Sequence, residues 1–213
     1  MSMSNSTISK KKSEITALIA IAACLGAAAI SAATVATSAD ARALIEQTVV
    51  QVLDVLRDGS RTTAQRRLQL EKIAHARFDF RTMARLVLAR DWKKLDAAKR
   101  DEFVDQFTTY LANDYGTRIE RYHQEDVKVM GEQQKPHGDV EVQTKIVGGA
   151  NDGALVGYRM RKGTDGWRII DVVIEGISLV ANFRDQFREV IARGGPEALL
   201  LKLKEKNAAA AAA

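Results

Sequence analysis

The period of the hydrophobic pattern changes twice along this 213-residue chain, and nothing else in the sequence limits the possible folds as much. From residue 42 to about 120, apolar side chains return every three or four positions. From 126 to 175 they return every second position, and from 177 to 207 every three or four again. The first spacing lays a stripe along a helix and the second gives one face of a strand. Helices, then a run of strands, then helices predict an α+β domain.

The elements follow from the same residues. Leu44, Val49, Val50, Leu53 and Leu56 mark a first helix. Asp58-Gly59-Ser60 ends it, and Ser60 is placed to cap the next, Thr63–Ala76, which carries Leu68, Leu70 and Ile73. A third helix begins near Phe80 with Met83, Leu86, Val87 and Leu88. A fourth runs from about Ala97 to Arg121, with Phe103, Phe107, Tyr110, Leu111, Tyr115 and Ile119 on one stripe. Val127 and Val129, then Val140, Val142 and Ile146, then Val156, Tyr158 and Met160, then Trp167 to Ile174 alternate with polar neighbours. Glycine turns at 148–153 and 163–166 separate the later runs. That spacing predicts a four-stranded antiparallel meander with one covered face. Ser178 is the expected cap of a last helical stretch bearing Ile177, Val180, Phe183, Phe187, Val190 and Ile191. Gly194-Gly195 interrupts it, and Pro196 opens a short final helix with Leu199, Leu200 and Leu203.

Residues 1–41 read as a leader rather than as fold. Lys10 to Lys12, an alanine-rich apolar run from Ile15 to about Ala36, and Ala39-Asp40-Ala41 have the layout of a secretory signal peptide cleaved near Ala41. An uncleaved anchor and a lipidated Cys24, in Ile21-Ala22-Ala23-Cys24, are the two alternatives. The chain divides accordingly into leader (1–41), one domain (42–207) and an alanine tail (208–213). Cys24 is the one cysteine, so the mature part carries no thiol, which suits an oxidising compartment. The net charge of +5 permits an anionic partner. Export makes nucleic acid the wrong one.

Catalytic chemistry finds little support. Gly176-Ile177-Ser178-Leu179-Val180 approaches a nucleophile elbow, but Val180 stands where the second glycine is required. Ser178 reads better as a helix cap. Asp171 and Glu175 alternate onto one face of the last strand with Trp167, Ile169 and Val173, as partnered carboxylates or as an acid pair. His75, His123 and His137 lack ligand spacing, so no metal and no cofactor is expected. Basic clusters at Arg61/Arg66/Arg67, Lys93/Lys94 and Lys202/Lys204/Lys206 are solvated helix faces or a docking surface. The surplus of large apolar side chains fits a packed core and an open cleft equally well.

Two stretches carry a family resemblance. Phe78-Asp79-Phe80, Met83-Ala84-Arg85-Leu86 and Arg90-Asp91-Trp92 form one. The longer runs from Trp167-Arg168-Ile169-Ile170-Asp171-Val172 through Glu175-Gly176-Ile177-Ser178 to Ala181-Asn182-Phe183-Arg184-Asp185-Gln186-Phe187. Gly194-Gly195, Leu199-Leu200 and Leu203 to Asn207 extend it. Over 42–207 the chain resembles the Mla-type periplasmic phospholipid-binding proteins, also called the toluene-tolerance family, one branch of which is linked to hopanoids. One departure is Ala89, where many relatives carry glycine.

The resemblance implies a curved sheet wrapped by helices, with acyl chains in an apolar cleft between them. It implies a periplasmic carrier with phospholipid as cargo and no enzyme activity. Its partners would be an outer-membrane lipoprotein complex and an inner-membrane ABC lipid transporter. Alternation and resemblance together assign the cleft wall to Phe103, Phe107, Leu111, Val142, Val156, Tyr158, Ile170, Val172, Ile174, Val180, Phe183 and Phe187. An envelope adaptor with a dry core is the alternative from another class.

Overall fold

In the computed structural model, α1 spans Ala36–Arg57 and uses two stripes. Ala41, Ile45, Val49 and Leu53 pack on the sheet, while Val52, Val55 and Leu56 pack on Leu70 of α2 (Thr63–Arg77). The structure describes residues 36–119 and 124–212. The leader up to residue 35, with Cys24, lies outside them, as does His123. The helix begins upstream of residue 42, and Ala41 is fully buried.

Thr62 starts α2 in place of the expected Ser60. Its hydroxyl accepts the Gln65 N–H, and the Gln65 side chain accepts the Thr62 N–H, a complete capping box. Ser60 instead donates its backbone N–H and its hydroxyl to Asp58 Oδ1. Asp79 caps α3 (Phe80–Leu88) by accepting the Thr82 N–H at 2.8 Å. The chain leaves α3 through Ala89 at φ 50°, ψ −116°, a conformation that glycine adopts freely and alanine does not. This is the position of the departure from glycine. A 3₁₀ segment (Ala89–Lys94) and α4 (Ala97–Ile119) follow.

The sheet holds strands in the order β1-β2-β3-β4-β5, all antiparallel. They are β1 (Asp126–Gln134), β2 (Val140–Val147), β3 (Leu155–Gly163), β4 (Gly166–Ile174) and β5 (Ile177–Ser178). The expected count of four is therefore corrected to five. The two residues of β5 fold back on Val173 and Ile174, because Glu175 and Gly176 both take positive φ and reverse the chain. A second correction concerns phase. Arg159 pairs with Asp171 but Met160 pairs with Ile169, so Ile170 is an unpaired bulge. Trp167, Ile169 and Val172 therefore share a face, and Asp171 shares the other with Arg159.

α1 covers the first of these faces. The opposite face is polar and centres on Asp139, which is fully buried. Arg161 meets it through Nε (2.6 Å) and Nη2 (2.8 Å), and Arg159 through Nη2 (2.8 Å). Beyond β5 the chain enters α5 (Leu179–Ala211), capped by Ser178 as expected. Gly195 breaks it at φ 73°, ψ −177°, and Pro196 restarts it. Helices α3, α4 and α5 bury Met83, Val87, Trp92, Leu95, Phe103, Phe107, Phe183, Phe187, Leu199 and Leu203 among themselves.

Candidate functional site

Of the twelve residues assigned to one apolar wall, eleven divide between two clusters. Val142, Val156, Tyr158 and Val172 lie on the sheet face beneath α1, with Ile174 packed at their margin. Phe103, Phe107, Leu111, Val180, Phe183 and Phe187 lie between α4 and α5. Ile170, on the bulge, is buried but belongs to neither. Periodicity finds each stripe but cannot say which stripe meets which.

The helical cluster is aromatic. Phe107 meets Phe183 edge-on at 5.6 Å and Phe187 at 6.4 Å, and stacks near Phe103 at 6.0 Å. Such pairs add about 0.5–1.5 kcal/mol each beyond burial alone. Tyr110 closes one side against Phe183 and Phe187, and burial raises its hydroxyl pKa.

Two side chains join the clusters. Phe78 and Leu179 each pack on both. Phe78 is held by a parallel bridge to Ile169, where the following N–H, of Asp79, donates to the Ile169 carbonyl oxygen at 2.9 Å. Leu179 is the first residue of α5, directly after the turn that reverses the chain. Both are only half-buried, so the seam between the clusters lies near the surface.

Beside Phe78 an open cleft of about 420 Å³ is lined by His75, Phe78, Asp79, Phe80, the 163–166 turn and Arg168. The Phe78 and Phe80 rings stack at 5.6 Å, and His75 meets Phe80 edge-on at 5.4 Å. Arg168 donates to the carbonyl oxygens of Ala76 (2.9 Å) and His75 (3.5 Å), satisfying the end of α2. Residue type alone did not single out this cleft. Its parts are some 90 positions apart and are brought together by the Phe78–Ile169 bridge and the Arg168 hydrogen bonds.

The candidates for chemistry resolve into structure. Ser178 donates its hydroxyl proton to Asp171 and accepts the Ala181 N–H, so it is engaged in capping α5. Asp171 and Glu175 do not pair: Asp171 holds the start of α5, whereas Glu175 accepts the Leu155 N–H at the other end of the turn. Among the described residues no group of three metal-ligating side chains occurs, and no helix is long and apolar enough to cross a membrane.

Residues 46–205 match the family described as MlaC protein. Among solved structures, the chain is similar to the phospholipid-binding protein from Ralstonia solanacearum, determined in complex with a phospholipid. The two superpose with a TM-score of 0.72 at 25% sequence identity, over 81% of this chain and 99% of that one.

Proposed function

Since this chain belongs to the MlaC protein family, we propose that it binds a phospholipid as cargo and carries it across the bacterial envelope. The observation that carries this reading is the likeness to a phospholipid-bound protein along nearly that protein's whole length. The architecture supports it. A single sealed core would have no room to admit a lipid. Here the two large apolar clusters meet at the half-buried Phe78 and Leu179.

The finer reading is a shuttle in the periplasm, exported by the leader. It takes lipid between an outer-membrane lipoprotein complex and an inner-membrane ABC transporter, and performs no catalysis. Burial of one methylene is worth about 0.8 kcal/mol, so roughly thirty methylenes on two acyl chains are worth about 24 kcal/mol against water. A bilayer offers nearly the same. Side chains such as Val142, Val172, Phe107 and Phe183 match that environment without exceeding it, which lets a carrier release what it holds. The headgroup stays in solvent at the mouth, so the cargo requires no buried countercharge.

Native mass spectrometry of the protein purified gently from a bacterial periplasm tests the reading. A mass excess that fragments into a phospholipid is the expected result. A bare protein mass would turn the clusters into closed core and favour an adaptor.

A further inference from the structure

Three buried polar atoms have no hydrogen-bond partner among the described residues: Tyr158 Oη, Trp167 Nε1 and Arg77 Nε. An indole or guanidinium N–H can only donate, and a phenol donates readily, so the unmatched set consists of donors. Tyr158 is 1% exposed and Trp167 is 8% exposed. Both stand in the same apolar cluster, on the sheet face turned toward α1. Tyr158 lies opposite Val172 in the β3–β4 ladder, and Trp167 lies near the turn of the same hairpin. Thr144 is close enough to act on the Tyr158 phenol, but its own hydroxyl donates to the Val156 carbonyl oxygen at 3.1 Å and closes no hydrogen bond with Tyr158. Arg77 is only half-buried and spends Nη2 on Gln51, so it is left aside.

A buried donor without an acceptor is costly, and a pocket built for hydrocarbon alone would carry phenylalanine at both positions. The two donors share one face, Tyr158 opposite Val172 and Trp167 opposite Lys162 four positions farther along β3, so an elongated molecule lying along the strand passes both. That group must be apolar over most of its length and present acceptor oxygens without donors.

Resting on the reading of this chain as a phospholipid carrier, we infer that Tyr158 and Trp167 donate to the ester carbonyl oxygens of the cargo. The pocket thereby selects ester-linked diacyl lipid over chains joined by ethers.

The test is retention of two lipids by the full chain after incubation with vesicles. One is a diacyl phosphatidylglycerol. The other is its dialkyl ether analogue, equal in chain length and headgroup. The wild type should retain the ester lipid roughly 25-fold better, about fivefold for each of two ordinary hydrogen bonds. Tyr158→Phe and Trp167→Phe should each lower the ratio to about fivefold, and the double variant should bring it near unity. The lipid-free Tyr158→Phe protein should melt no lower than wild type, since it loses an unmatched group. Equal retention of both lipids by wild type would overturn the inference. So would an unchanged ratio in both variants, as expected if a trapped water takes the donors, or a lower melting temperature for lipid-free Tyr158→Phe. Retention of neither lipid would overturn the carrier reading itself, and this inference with it.

Discussion

The hydroxyl of Ser178 donates to Asp171 Oδ2 at 2.5 Å, which ties the middle of β4 to the start of α5. The other Asp171 oxygen accepts the Val180 N–H at 3.0 Å, while Ser178 Oγ accepts the Ala181 N–H at 3.0 Å. One carboxylate and one hydroxyl thus satisfy two of the free N–H groups of the first helical turn. They also hold Leu179, half of the seam, in place between the two clusters.

Asp171→Ala should cost about 1–3 kcal/mol in urea unfolding, because it leaves the Ser178 hydroxyl and the Val180 N–H without acceptors. Burial raises the Asp171 carboxyl above the ordinary carboxylate range, with the Ser178 and Val180 hydrogen bonds opposing it in part. A raised acid holds its proton more tightly when folded. Its contribution is complete below the unfolded pKa, near 4, and is lost as pH rises through the folded value. Asp171→Asn should flatten the stability curve in that window. A variant curve parallel to wild type from pH 4 to 7 would contradict the assignment.

Asp139 should show the opposite sign. Burial alone would push its carboxyl up, but hydrogen bonds and charge from Arg161 and then Arg159 outweigh it and hold the carboxyl below its usual range. Its contribution is present above the unfolded pKa and lost as pH falls through the folded one. Asp139→Asn should cost about 2–3 kcal/mol at pH 7. That is less than the full value for a buried pair, because both guanidiniums remain 34% exposed. The variant should also lose much of the acid sensitivity, measured as the denaturation midpoint between pH 5 and 3.

Ala89 and Gly195 stand in similar backbone regions with opposite residues. Both have positive φ, 50° and 73°. Ala89→Gly should raise stability by about 1 kcal/mol by relieving the Cβ at that φ. Gly195→Ala should lower it by about 1–3 kcal/mol and loosen Leu199, Leu200 and Leu203 from the α3–α4 surface. Thermal melts of the two single variants check the pair. A destabilised Ala89→Gly would mean the turn is not strained.

Val172→Trp places an indole opposite Tyr158, on the face beneath α1. Overpacking should cost about 1–3 kcal/mol of stability. Phospholipid retention in native mass spectrometry should fall to a small fraction of wild type while the protein stays folded by circular dichroism. Undiminished retention would move the cargo away from this face, toward the α4–α5 aromatics.

Much of the fold is legible in local pattern. The 3.6-residue stripes of α1 to α5, the alternation in β1 to β4, the Ser178 cap and the Gly195-Pro196 break are each read over a few residues. The two-residue β5 is too short to carry a period. The bulge at Ile170 is also silent: Ile169-Ile170 reads as two apolar residues in succession, and only pairing with β3 decides which one is extra. That slip put Trp167 and Ile169 on the face of Asp171 in the alternation reading, whereas they lie with Val172.

The site was legible residue by residue but not as an assembly. Burial of Tyr158, Val172, Phe107 and Phe183 can be read from the chain alone, because it follows from side-chain type at a fixed period along one element. That the first two lie under α1 and the last two between α4 and α5, with Phe78 and Leu179 as the seam, emerges from the packed fold. Hydrophobic attraction is non-directional. An apolar stripe states that it must be covered. What covers it is set by chain reversals, the bulge and the β4–Phe78 bridge, which bring together residues some 90 positions apart.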